Sequence, residues 1–136
     1  MDVKFKYEDI GKDRFGHILR PVAKVTLKSP RVDKRVDVWM IVDTGADYTI
    51  LPRHFAEKLR VSFEDDCFKE MTLGVGGEQI VYFMKNKIIA WIGSMQRSIP
   101  LAFLDSNEVP ALLGRLGFLE TFDTKFLKTH TVVFKS

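Results

Sequence analysis

Apolar and polar residues alternate at the chain's first clear pattern, with Ala23, Val25 and Leu27 on one side and Lys24, Thr26 and Lys28 on the other. A period of two marks a strand with one face buried. Ser29-Pro30-Arg31 and the charges through Arg35 read as a turn or loop. A second strand follows from Val36 to Val42. It turns apolar at successive positions, Val38-Trp39-Met40-Ile41-Val42, as expected where a strand enters a core on both faces. Pro52 suits the first residue of a short helix in which Phe55 and Leu59 share a face. Glu64-Asp65-Asp66 reads as an exposed, solvated acidic loop.

The second half repeats the strand signal in short pieces. Met71-Thr72-Leu73 and Gln79-Ile80-Val81-Tyr82-Phe83 flank Gly74-Val75-Gly76-Gly77, which predicts a β-hairpin with a glycine-rich tip. Lys87 to Ile92 and Ser98 to Leu104 predict two more strands, with Pro100 best tolerated at an edge or bulge. Asp105 to Pro110 is a loop, and Ala111-Leu112-Leu113-Gly114 is a buried strand ending in glycine. Arg115 to Glu120 predicts one helical turn, and Thr124 to Leu127 with Thr131 to Phe134 a closing hairpin. The sum is a mainly β domain of many short strands and one or two short helices.

Size and composition narrow the class. With 136 residues, 46% hydrophobic and 29% charged, the chain reads as one soluble globular domain, not a disordered one. The net charge of +3 is spread along the chain, so neither a nucleic-acid nor a membrane partner is expected. The longest uncharged run, the nine residues from Ile88 to Gln96, falls far short of a bilayer span. The first residues have no apolar segment of the secretory kind, and the lone Cys67 fits a reducing compartment. A cytoplasmic location is the expectation.

The chemistry concentrates at Asp43-Thr44-Gly45-Ala46-Asp47, which directly follows the apolar strand and occurs once. A carboxylate carried on a strand end, followed by a glycine that lets the chain turn, is an acid in a fixed pose. Acid–base work on an amide requires two such groups, so one chain carries half a site. Together with the hairpin Gly74-Val75-Gly76-Gly77 and the element Leu112-Leu113-Gly114-Arg115, this motif resembles the retropepsins, the single-domain aspartic proteases of retroviruses and their cellular and microbial relatives. The likeness runs from about Val36 to Phe122. It implies a retropepsin-like acid protease fold, a closed β-barrel with a flap hairpin, and a homodimer with the site on its two-fold axis.

The resemblance also implies roles. Asp43 would be the catalytic acid, meeting its own copy across the axis, and Thr44 would hydrogen-bond across that axis. Gly45 would offer its carbonyl to substrate, while Asp47 would contact substrate backbone and pair with Arg115 beside Gly114. Ile41, Ala46, Tyr48, Val75, Gly76, Gly77 and Leu112 would line or cover the substrate, favouring hydrophobic side chains beside the scissile bond. Ala46 lacks the hydroxyl that a serine there would donate to a carboxylate, which predicts a less acidic working range. The expected activity is endopeptidase cleavage of peptide or protein substrates, with no cofactor and no metal. A retropepsin fold used only for peptide binding or dimerisation is the alternative.

Other schemes fit poorly. His17, His54 and His130 lack metalloprotease spacing, and Cys67 lies in an acidic stretch that disfavours a thiolate. By domain layout, residues 1–35 form an N-terminal extension with strands, 36–122 the motif-bearing core and 123–136 the C-terminal hairpin. The extension is longer than a minimal viral protease needs before its catalytic strand.

Overall fold

The computed structural model describes residues 2–74 and 77–136. Six strands open the chain: β1 (Asp2–Lys6), β2 (Glu8–Asp13), β3 (Gly16–Arg20), β4 (Val22–Lys28), β5 (Arg35–Val42) and β6 (Ile50–Pro52). Two short helices follow, α1 (His54–Lys58) and α2 (Phe63–Asp66). Then come the hairpin β7 (Cys67–Gly74) and β8 (Gly77–Met84), and the strands β9 (Ile88–Ile92), β10 (Met95–Ile99), β11 (Ala102–Leu104) and β12 (Leu112–Leu113). A 3₁₀ turn at Leu119–Thr121 leads to β13 (Asp123–Leu127) and β14 (Thr131–Lys135).

The fold is mainly β, as expected. Nine strands form one sheet in the order β10-β9-β4-β5-β12-β6-β11-β8-β7. It curls into a half-barrel with β10 and β7 as its edges, so the closure expected of the barrel is partial. A second sheet, β1-β14-β13, joins the N-terminal strand to the C-terminal hairpin, and β2 pairs with β3 alone. The core inside the curl holds Met40, Leu51, Leu59, Phe103, Leu113, Phe118 and Phe134, all fully buried. Burying one such side chain stabilises the fold by roughly 1.5–3 kcal/mol.

Four local expectations are corrected, each for a physical reason. Strand β5 buries Val38, Met40 and Val42 but leaves Trp39 57% exposed, so only one face enters the core. The Trp39 ring instead meets Phe5 of β1 edge-on, with centroids 5.8 Å apart. Pro52 ends β6 opposite Leu104 and does not start α1, which begins after Arg53; a residue without N–H is tolerated where a ladder stops. Ser98 to Leu104 is not one strand. Pro100 separates β10, which pairs with β9, from β11, which pairs with β6 and β8. The acidic Glu64-Asp65-Asp66 is helix α2, capped by Ser62 Oγ accepting from the Asp65 N–H at 3.2 Å. Asp66 receives the Arg31 fork, with Nη2 to Oδ1 at 2.8 Å and Nε to Oδ2 at 3.1 Å.

Candidate active site

Strands β5 and β6, which flank the acidic loop, are not paired with each other. Strand β12 lies between them, parallel to β5 (Leu112 opposite Ile41, Leu113 opposite Val42) and antiparallel to β6 (Leu112 opposite Ile50). Residues 43–49 therefore arch from one side of β12 to the other. The Asp43 N–H donates to the Leu113 carbonyl at 3.1 Å, and on the preceding residue the Val42 N–H donates to Pro21 O at 2.9 Å. The backbone that delivers the acid is thus tied on both flanks.

The carboxylate is oriented by its own turn. The Gly45 N–H donates to Asp43 Oδ1 at 2.9 Å, and the Ala46 N–H donates to the Asp43 carbonyl at 3.2 Å. A side chain at position 45 would place its Cβ 3.3 Å from Oδ1, tighter than ordinary contact. The second carboxylate oxygen makes no hydrogen bond among the described residues, and Asp43 is part-exposed. One oxygen is fixed and the other is available. Thr44 and Gly45 are exposed at the turn.

The far half of the loop is locked onto the turn after β12. The Arg115 N–H donates to Ala46 O at 3.0 Å, and the Leu116 N–H donates to Asp47 O at 2.8 Å. The Arg115 guanidinium also pairs with the Asp47 carboxylate, the contact that the retropepsin resemblance implied. Both groups are about half exposed, so this pair adds register more than stability. The stronger lock was not legible as a site. Thr49 is buried, and its Oγ1 accepts the Gly114 N–H at 3.1 Å. A Cβ on Gly114 would stand 2.1 Å from the Tyr48 carbonyl oxygen, so only glycine lets the two segments meet. The one sequence signal for Thr49 is a hydroxyl placed directly before the apolar pair Ile50-Leu51.

Beside the loop runs an apolar groove of about 430 Å³. Tyr48 of the loop, Ile50 and Leu112 line it together with Thr72, Gln79, Val81 and Phe83 of the hairpin. Tyr48 and Phe83 meet edge to face at 5.3 Å, bridging loop and hairpin. Of the residues expected to line the substrate, Tyr48 and Leu112 stand in this groove. Ile41 is part-buried in the ladder between Val22 and Leu112, and Ala46 is part-buried in the loop, neither in the groove lining. Gly77 stands at the hairpin end opposite Gly74, with φ +100°. Val75 and Gly76 lie outside the described residues.

The other candidate groups are dispersed. Cys67 is buried at the root of β7, where burial, reinforced by the charge of Asp66, pushes its thiol up to about 11. His17 pairs with Asp9 at 3.2 Å, His54 Nδ1 stands 3.3 Å from Asn107 Oδ1, and His130 lies against the Tyr7 ring. No helix among the described residues is long and apolar enough to cross a membrane.

Residues 25–116 match the family model described as aspartyl protease, a span that includes the acidic loop, the hairpin and Leu112-Arg115. The chain belongs to the aspartyl protease family. Among solved structures it is similar to a retropepsin-like aspartic protease from Rickettsia conorii, at 18% identity, with 98% of each chain covered and a TM-score of 0.64. At that identity the likeness establishes the retropepsin-like fold. No curated protein matches the chain.

Proposed function

We propose that this family member is an aspartic endopeptidase whose active unit is a homodimer. The observation that carries the reading is one Asp-Thr-Gly turn per chain, its Asp43 held on one oxygen by the Gly45 N–H and open on the other, beside an apolar groove. A two-fold axis through that end of the molecule brings the second Asp43 from an identical chain. Two carboxylates at close range do not both ionise cheaply, so the pair retains one proton between them.

Peptide hydrolysis follows from that arrangement. The ionised carboxylate takes a proton from water as its oxygen bonds to the scissile carbonyl carbon, while the protonated partner gives its proton to the carbonyl oxygen. The resulting gem-diol collapses. The C–N bond breaks as the leaving nitrogen takes the pair's proton, and a diol hydroxyl gives its proton back to the other carboxylate as the product acid forms, so the dyad is restored with one shared proton. No covalent enzyme intermediate forms. Thr44 stiffens the two loops across the axis, and the Gly45 carbonyl and Asp47 hold substrate backbone. Tyr48 and Leu112 receive hydrophobic side chains beside the scissile bond, and the β7–β8 hairpin is the flap that covers them.

Cleavage of casein by the full chain, compared with Asp43→Asn across acidic to neutral pH, tests the reading. Cleavage by the wild type and none by the variant is the expected result. Equal inactivity of both, with an unstructured peptide still bound in the groove, would make the chain a binding module instead.

A further inference from the structure

The hairpin β2–β3 is the element that the catalytic reading leaves unused. Every residue of β2 is exposed, and the two strands pair only with each other. Yet its root is fastened at both feet. At the entry, the Tyr7 N–H donates to His130 O at 2.9 Å; at the exit, the Pro21 carbonyl accepts the Val42 N–H at 2.9 Å. The tip is shaped as well: Asp13 Oδ1 accepts the Phe15 N–H at 2.8 Å, and Gly16 takes φ +118°. This turn presents a phenyl ring that is 96% exposed, with Ile10 and Ile18 also more than a third exposed along the arm.

The root fixes which way the arm serves. Val42 precedes Asp43, so the exit foot stands next to the proposed catalytic acid. Strand β5 has two neighbours: β4, which continues from the arm, and β12, whose Leu112 lines the groove. The arm therefore springs from the flank of β5 away from the groove, and none of its residues lines the groove. An element rooted one residue from Asp43 starts close to any two-fold axis that brings two copies of Asp43 together. Its charges are mixed, with Glu8, Asp9 and Asp13 against Lys12, Arg14 and Arg20, so two copies do not repel.

We propose that the β2–β3 arm clasps the second copy of this chain, burying Phe15 against the partner's surface. The proposal rests on the homodimer reading above. By two-fold symmetry each dimer holds two such contacts, so one substitution weakens the assembly twice.

Sedimentation equilibrium of the full chain and of Phe15→Ser reads the effect. The ring is solvated in a single chain, so the variant keeps its fold, which far-ultraviolet circular dichroism verifies. The expected result is a dimer dissociation constant raised roughly tenfold or more. A second measurement places the photo-crosslinker p-benzoylphenylalanine at position 15 in a mixture of isotopically labelled and unlabelled chains; crosslinks joining the two populations are expected. A dimer of unchanged affinity in Phe15→Ser, or crosslinks confined to one chain, overturns the arm while leaving the homodimer standing. A wild type that is monomeric at every concentration, with no Asp43-dependent cleavage, overturns both.

Discussion

The acidic loop and the β7–β8 hairpin line one groove but are held in opposite ways. The loop is tied at four of its seven residues: to Leu113 through Asp43, to Arg115 through Ala46 and Asp47, and to Gly114 through Thr49. The hairpin is tied through its lower half only, where β8 pairs with β11 at Val81 to Phe83 and the Ile80 carbonyl accepts the Asp105 N–H at 3.0 Å. At its root Cys67 is buried, Lys85 donates its N–H to Asp66 O at 2.8 Å, and the Arg31–Asp66 fork anchors the preceding helix. Beyond the root, β7 is a sheet edge carrying Phe68, Met71 and Leu73 largely in solvent, Leu73 being 85% exposed. On the endopeptidase reading proposed above, the contrast separates two needs. An acid that moves protons must be positioned before substrate arrives, whereas a cover must part to admit it.

The sharpest way to break this contrast is at the acid. Asp43→Asn is expected to lower kcat/KM for a casein-derived peptide by about three orders of magnitude or more, with an unchanged melting temperature. If the variant cleaves at a tenth of the wild-type rate, the loop is not the reacting element.

Next comes the lock. Gly114→Ala forces a methyl against the Tyr48 carbonyl and is expected to destabilise the fold by about 3 kcal/mol in urea unfolding. Thr49→Val leaves the Gly114 N–H buried without its acceptor, for a loss of about 1–3 kcal/mol. A neutral result for both would mean that the loop is not pinned at this junction.

In the hairpin, Gly77→Val tests the cover. Its φ of +100° disfavours any β-branched residue, so the tip is strained or displaced. Here kcat/KM is expected to fall roughly tenfold while global stability changes by about 1 kcal/mol. A large loss of stability with intact activity would reverse the roles assigned to the two regions.

The smallest expected effect lies at the hairpin root and depends on pH. The Arg31 guanidinium, hydrogen-bonded to Asp66, holds that carboxyl below its ordinary value. Its contribution is complete above the usual carboxylate range and is lost as pH falls through the lowered value. Urea midpoints of wild type and Arg31→Ala should therefore differ slightly at neutral pH and converge in strong acid. A gap that widens on acidification would place the linkage elsewhere.

Much of this was legible along the chain, and the gaps share a cause. The acidic loop, the hairpin around Gly74 to Gly77 and the alternation in β4 are local signals, readable within a few residues. The Thr49–Gly114 bond joins positions 65 apart, and nothing in either neighbourhood announces the other. The same holds for Asp66, whose partner Arg31 lies 35 residues away and turns an acidic loop into an anchored helix. Trp39 misled because an exposed aromatic and a buried one look alike until β1 is placed against it. The arm from Glu8 to Arg20 carries little apolar alternation; its strands are set by the turn at Asp13 to Gly16 and by the two fastened feet.

The insertion of β12 between β5 and β6 orders events in time. The residues that complete the acidic loop, Leu112 to Leu116, leave the ribosome some seventy positions after the aspartate itself. Parallel pairing over such a distance is slow to close. A growing polypeptide thus carries its acid on an unfinished scaffold until Leu112 to Leu116 have been made, and a fragment ending before Leu112 lacks the strand that holds the acidic loop.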